Sequence, residues 1–121
     1  MNEISGAIID SAMDVHSELG PGLLESTYEA CLLYELKSRN LLVQNQITLP
    51  VKYKGTQIDA GYRIDLLVEK SIIVEIKAIE KILPVHEAQL LTYLKLSHRK
   101  VGLLLNFNST RLKYGIKRIV N

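Results

Sequence analysis

Residues 61–78 read Gly61-Tyr62-Arg63-Ile64-Asp65-Leu66-Leu67-Val68-Glu69-Lys70-Ser71-Ile72-Ile73-Val74-Glu75-Ile76-Lys77-Ala78. Two aliphatic, β-branched runs flank the polar break Glu69-Lys70-Ser71, the pattern of two strands joined by a short turn. The second run is apolar on both sides of its pleat, as in a central strand covered on both faces, yet two charges interrupt it. Side chains two apart on a strand share a face, so Glu75 and Lys77 project together. With a three-residue turn centred on Lys70, antiparallel pairing sets Asp65 opposite Glu75, each being five positions from that centre. Opposed Cβ atoms lie about 5 Å apart, and like charges there are destabilising. A two-residue turn would instead put Asp65 on the other face and dissolve the cluster.

A divalent cation reverses the sign of that repulsion. Hard carboxylate oxygens suit Mg2+ or Mn2+, ions held by one or two carboxylates together with substrate phosphate oxygens. Lys77, on the same face, can hold an attacking water and offset charge developing at phosphorus. The same residues also admit a purely structural reading, an ion ladder in which Arg63 and Lys77 neutralise Asp65 and Glu75, although buried ladders stabilise weakly.

Upstream, Ile4, Ala7, Ile8, Ser11, Ala12, Val15 and Leu19 recur at helical spacing and predict a first helix over 2–19, closed by Gly20-Pro21-Gly22. A second helix is expected over 23–39, with Leu24, Tyr28, Cys31, Leu32 and Leu36 inward and Asn40 terminating it. Glu25, in its first turn, suits a capping role at the positive helix end, and His16 beside the first apolar stripe suits a packed core histidine. Alternation at Val43, Ile47, Leu49, Val51 and Tyr53, a turn at Gly55, and alternation from Ile58 to Val68 predict two strands of a meander, with 72–78 the third.

Downstream, Pro84 opens a helix to about His98, with Ala88, Leu91 and Leu94 on one side, and 100–106 is a further strand. Residues 111–120 fit either a short helix or an edge strand. A meander followed by a strand–helix–strand crossover gives a mixed sheet flanked by helices, an α/β fold expected to form one domain over 1–121. On the Pro84 helix, His86, Gln89 and Tyr93 form a polar stripe. It can overlook the carboxylates, with Gln89 and Tyr93 touching substrate phosphate, or it can be an exposed flank.

The length of 121 residues suits one core, and a composition of 47% apolar and 23% charged residues argues against disorder. No stretch approaches the roughly 20 apolar residues of a membrane span, and the lone Cys31 cannot form an internal disulfide. A cytoplasmic protein is therefore expected. Net charge is only +2, but Arg99, Lys100, Arg111, Lys113, Lys117 and Arg118 follow the last acidic residue, Glu87, and offer one positive surface.

Val15-His16, Leu19-Gly20-Pro21-Gly22-Leu23-Leu24-Glu25, Tyr28, Gly61-Tyr62-Arg63-Ile64-Asp65, Glu75-Ile76-Lys77, Pro84-Val85-His86-Glu87-Ala88-Gln89-Leu90 and Tyr93 together resemble the GxxExxY family of the PD-(D/E)XK nuclease superfamily. Ile64 stands where the superfamily's name has proline. The resemblance implies a restriction-endonuclease-like core and metal-dependent hydrolysis of phosphodiester bonds in DNA or RNA. It implies a metal shell of Asp65, Glu75 and the carbonyl of Ile76, with Lys77 assisting the attacking water. Glu25, and less directly His16, match the contributor that many members place on the helix before the meander. Gln89 and Tyr93 match the helical motif of the RecB-like branch, and Arg63 joins Gln89 and Tyr93 as a substrate contact. A noncatalytic binding module on the same fold, paired as a homodimer, is the alternative.

Overall fold

The computed structural model describes residues 2–121. Helix α1 (Asn2–Leu19) buries Ile8, Ala12 and Val15. Ser11 is buried in the same stripe because its hydroxyl donates to the carbonyl of Ala7, one turn back. Helix α2 (Glu25–Ser38) buries Tyr28, Leu32 and Leu36. Leu24, expected to face inward, instead precedes the helix and is 73% exposed. The backbone turns at Asn40 (φ 62°), as expected of an asparagine that ends a helix.

The strands that follow are β1 (Val43–Thr48), β2 (Val51–Tyr53), β3 (Thr56–Ile58), β4 (Arg63–Val68) and β5 (Ile72–Lys77). Helix α3 (Pro84–Ser97), β6 (Val101–Asn106), a 3-10 turn (Leu112–Gly115) and β7 (Ile116–Val120) complete the chain. The main sheet runs β1-β4-β5-β6-β7, with β5 and β6 parallel and the other pairs antiparallel. Residues 111–120 thus hold both of the elements between which the sequence left a choice.

The meander is more interrupted than its alternation predicts. Pro50 has no N–H to continue the ladder, and Lys54 and Gly55 both take positive φ (50° and 79°), as a two-residue hairpin turn between Tyr53 and Thr56 requires. At the far end, Asp59 accepts the Gly61 N–H (3.1 Å) in a local turn. Residues 51–58 therefore leave the main sheet as a separate hairpin, β2–β3, inserted between β1 and β4.

The β4–β5 turn does have three residues. Val68 pairs with Ile72, and Glu69 and Lys70 both take positive φ (52° and 54°). Glu69 accepts the Leu42 N–H through its side chain and donates its own N–H to the Leu42 carbonyl (2.7 Å), tying the turn to the start of β1.

Helices α1 and α2 cover one sheet face through Leu66, Val68, Ile72, Val74 and Ile76; α3 covers the other through Leu67, Ile73 and Leu104. The side of α3 facing the sheet carries Leu90, Tyr93 and Leu94, whereas Ala88, expected inward, is exposed. Gly102 permits this approach, because a Cβ there would lie 2.8 Å from a methyl of Leu90. Among the described residues, no helix is long and apolar enough to cross a membrane.

Candidate metal centre

β1 and β4 exchange faces at one point. Val43, Leu66 and Val68 pack toward α1 and α2, but Ile47 and Ile64 pack toward α3. The exchange falls at the facing positions Gln46 and Asp65, where the paired register skips and Gln46 takes φ 50°. On the other side of β4, pairing with β5 runs from Val68↔Ile72 to Leu66↔Val74 and stops one pair before Asp65 and Glu75.

Crossed side-chain hydrogen bonds replace the ladder there. The N–H of Asp65 donates to Oε2 of Glu75 (2.8 Å), and the N–H of Ile76 donates to Oδ2 of Asp65 (2.8 Å). Each carboxylate is thus fixed by the backbone of the opposing strand through one oxygen. The other oxygens are less engaged: Asp65 Oδ1 receives only the Gln46 amide at 3.3 Å, and Glu75 Oε1 has no donor among the described residues.

Glu75 is 4% exposed. Burial first, and the Asp65 charge second, push its carboxyl up to about 8, against the lowering influence of the Asp65 N–H and of Lys77. Asp65 is raised as well, again by burial first, although the Ile76 N–H, Gln46 and Lys77 all favour its charged form. Burial and the fields of Glu75, Tyr62 and Asp65 push the Tyr93 hydroxyl up to about 12. Tyr93 therefore lies within electrostatic reach of both carboxylates.

The ion ladder is not formed. No carboxylate oxygen lies within 4.0 Å of Lys77 or Arg63 among the described residues, and Arg63 donates to Thr48 Oγ1 (2.7 Å) across β1. A buried carboxylate, Glu75, and a half-buried one, Asp65, are left side by side without a paired cation, an arrangement that carries a net penalty unless something positive binds between them. Paired hard oxygens with free lone pairs fit a divalent ion such as Mg2+.

Glu25 does not cap α2, whose start has no side-chain cap. It reaches across to accept the N–H of Ala78 (3.1 Å), the residue after Lys77. Three residues on, Tyr28 is fully buried, stacks on Phe107 (4.6 Å between centroids, 12°), donates to the Gly20 carbonyl (2.5 Å) and accepts the Leu23 N–H (3.1 Å). Gly20 and Gly22 sit at φ 69° and 99° in the loop that Tyr28 holds. The spacing Gly22-x-x-Glu25-x-x-Tyr28 is thereby explained: Glu25 and Tyr28, three apart on α2, share a face, with Glu25 tied to the exit of β5 and Tyr28 to the loop that contains Gly22. Tyr28→Phe should keep the stacking and lose both hydroxyl bonds, lowering stability by about 1–2 kcal/mol in a thermal or urea melt; an unchanged midpoint would show the loop to be held by other means.

His16 is placed elsewhere. Its Nε2 lies 2.8 Å from the Ser109 carbonyl, which can only accept, so the imidazole donates there, beside Phe107. His16 thus serves as the packed histidine that its place beside the apolar stripe suggests, joining α1 to the segment after β6. No group of three or more His, Cys, Asp or Glu side chains is arranged around one ion position among the described residues, so Glu25 borders the carboxylate pair rather than completing a cluster with it.

The family model of the PD-(D/E)XK nuclease superfamily matches residues 2–119. The chain belongs to that superfamily. Its five-stranded mixed sheet flanked by helices is the restriction-endonuclease-like fold of the PD-(D/E)XK proteins. No curated protein and no solved structure matches the chain.

Three residues that the sequence did not single out support the PD-(D/E)XK site, two beside Asp65 and one at the exit of β5. Gln46 bridges Asp65 and Glu29 (2.8 Å to Glu29 Oε1). The Glu29 carboxyl is raised by burial, with Asp65 and Glu25 adding to the effect. Asn106, 3% exposed and paired with Lys77, accepts the Ile79 N–H (3.1 Å) and donates to the Ile79 carbonyl (2.9 Å), clamping the loop that leaves β5.

Proposed function

We propose that this protein is a metal-dependent nuclease that hydrolyses phosphodiester bonds of DNA or RNA, with Asp65 and Glu75 as the metal ligands. The crossed hydrogen bonds between these residues support this reading above all, because they aim one oxygen of each carboxylate away from its backbone partner and leave the pair without a protein cation. Mg2+ or Mn2+ would be held by Asp65, Glu75 and the main-chain carbonyl of Ile76. That carbonyl points to the same neighbour as the Ile76 N–H, hence toward Asp65. When bound, the ion supplies Lewis-acid stabilisation of charge developing on the phosphoryl oxygens.

Lys77 acts from the same strand face as Glu75, where its ammonium orients the attacking water and balances charge at phosphorus. Tyr93 and Gln89, on α3, hold the substrate phosphate, and Arg63 contacts the strand from the β1–β4 edge. Glu25 fixes the exit of β5 through the Ala78 N–H and so keeps Lys77 aligned. Within the superfamily we place the chain in the GxxExxY group, on the geometry that Gly22, Glu25 and Tyr28 share, and in the RecB-like branch, on Gln89 and Tyr93. The reading covers 1–121 as a single domain acting in the cytoplasm.

Lys77→Ala tests the assignment. The half-buried Lys77 has no ion-pair partner among the described residues, so its truncation should leave the fold and the metal-induced rise in melting temperature intact. Cleavage of labelled nucleic acid in Mn2+ should fall about 100-fold or more. Undiminished cleavage would remove Lys77 from the reaction, and failure of the wild type to bind Mg2+ or Mn2+ at millimolar concentration would end the nuclease reading.

A further inference from the structure

A cleft of about 640 Å3 opens between the β2–β3 hairpin and α3, within the range of roughly 300–1,000 Å3 usual for ligand sites. Its walls are aromatic and aliphatic. Val51, Tyr53 and Ile58 come from the hairpin, Tyr62 from the segment before β4, and Gln89 and Tyr93 from α3. Tyr53 is 59% exposed, Ile58 42% and Tyr62 43%. The hairpin is the insertion that alternation alone did not reveal, and it turns these side chains out of the main core toward the cleft.

Two features decide what occupies it. Tyr93 links the cleft to the carboxylates: it lines the cleft, packs with Ile73 and Leu104 on the face that carries Glu75, feels the fields of Glu75 and Asp65, and meets Tyr62 edge to face at 6.0 Å. The electrostatics favour an anion. Among the described residues no carboxylate lines the cleft, and Lys54 holds its Nζ 5.5 Å from the ring centroid of the lining residue Tyr53. Lys52, Lys95 and His98 lie on the far side of the hairpin, around a smaller hollow that shares Leu96 with the cleft. Exposed aromatic rings beside lysines are what unpaired nucleotides bind, since every base offers a π-face and every linkage a negative charge. In a paired duplex both faces of each base are already covered, so these rings could reach a base only after it is unstacked.

We propose that the cleft between β2–β3 and α3 stacks the bases of an unpaired nucleic-acid strand and leads that strand to Asp65 and Glu75, so that single-stranded segments are the substrate. The inference rests on the nuclease reading for where the strand is delivered. Tyr53 supplies the outer stacking ring, Tyr62 and Tyr93 the inner wall, Lys54 the phosphate contact beside Tyr53, and Gln89 an amide able to pair with a base edge.

The test is fluorescence anisotropy of a labelled single-stranded oligonucleotide carrying 2-aminopurine, measured in EDTA at about 50 mM salt, where phosphate contacts persist and cleavage does not occur. Wild type should bind it at least about tenfold more tightly than a duplex of the same sequence and should quench the 2-aminopurine. Tyr53→Ala, at a solvent-exposed position, should weaken single-strand binding about 5- to 100-fold and abolish the quenching, and Tyr53→Phe should restore both. Unchanged single-strand affinity in Tyr53→Ala, or tighter binding of duplex, overturns the proposal. So does a change from dimer to monomer in sedimentation with affinity unaltered, which would assign the cleft to a second copy of the chain. Cleavage in Mn2+ separates the two readings: cutting that is indifferent to Tyr53 defeats the stacking site alone, whereas Tyr53-dependent binding without any cutting defeats the nuclease reading and leaves the stacking site standing.

Discussion

Asp65→Asn should abolish the rise in melting temperature that Mg2+ or Mn2+ gives the wild type and should lower divalent-dependent cleavage by about 1,000-fold, several kcal/mol of transition-state stabilisation. Asparagine is the informative replacement because it preserves an oxygen for the Ile76 N–H, which Asp65 Oδ2 accepts at 2.8 Å. Alanine would remove that acceptor as well and mix a structural loss with the loss of a ligand. For the wild type, an ion at ten times its dissociation constant adds about 1.4 kcal/mol to stability, which moves the midpoint of a domain of this size by about 5 °C. In EDTA the variant should melt close to or slightly above the wild type, since the charge facing Glu75 has gone. If Asp65→Asn retains the metal-induced shift, the ion binds elsewhere and the pair is structural.

The register that brings Asp65 to Glu75 was legible because the turn is short and its centre can be counted. Glu69, Lys70 and Ser71 form the only polar break between two apolar runs, and Val68 and Ile72 close it as counted. The limits of α1 and α3 were legible for a similar reason: Gly20-Pro21-Gly22 and Pro84 are backbone signals that do not depend on tertiary context. The β2–β3 hairpin was not, because Leu49, Val51, Tyr53 and Ile58 keep the same two-residue period across Pro50 and Gly55, and period alone cannot separate a long strand from one that leaves the sheet. The inward side of α3 was misjudged by part of a turn. Tyr93 reads as polar in a stripe with His86 and Gln89, but its ring is buried between the sheet and Tyr62.

Long-range closure accounts for the rest. Nothing local marks Gln46 as the residue that joins Glu29 to Asp65, contacts spanning 17 and 19 positions. Its positive φ and the exchange of faces it sets up exist only once β1 is paired with β4. His16 is likewise decided at long range. Its place beside an apolar stripe is compatible with ligation or packing, and the choice is made by the Ser109 carbonyl, 93 positions away.

Glu75→Gln should flatten the pH dependence of stability in the metal-free protein. A carboxyl with an ordinary value of 4.5 that folding raises to about 8 holds a proton in the folded state across an interval in which the unfolded chain has lost it. Because the folded state then binds more protons, stability must fall as pH rises between those two values. At about 1.4 kcal/mol per tenfold change in proton affinity, the loss for a buried group shared with Asp65 is on the order of 3 kcal/mol, and Asp65, also raised, acts in the same direction. Wild type in EDTA should therefore melt highest near pH 5 and decline toward pH 8.5. Glutamine can still accept the Asp65 N–H but cannot ionise, so the variant should overtake the wild type above neutrality. Mg2+ opposes the same trend, since the ion and the proton compete for one carboxylate, and its stabilising effect on the wild type should grow with pH while leaving the glutamine variant unmoved. Subtracting the two melting curves at each pH isolates Glu75, together with its coupling to Asp65, from the remaining titrating groups. A difference that stays constant from pH 5 to 8.5 would mean that Glu75 is already charged in the folded protein, and the pair would then lack the strain that a cation is proposed to relieve.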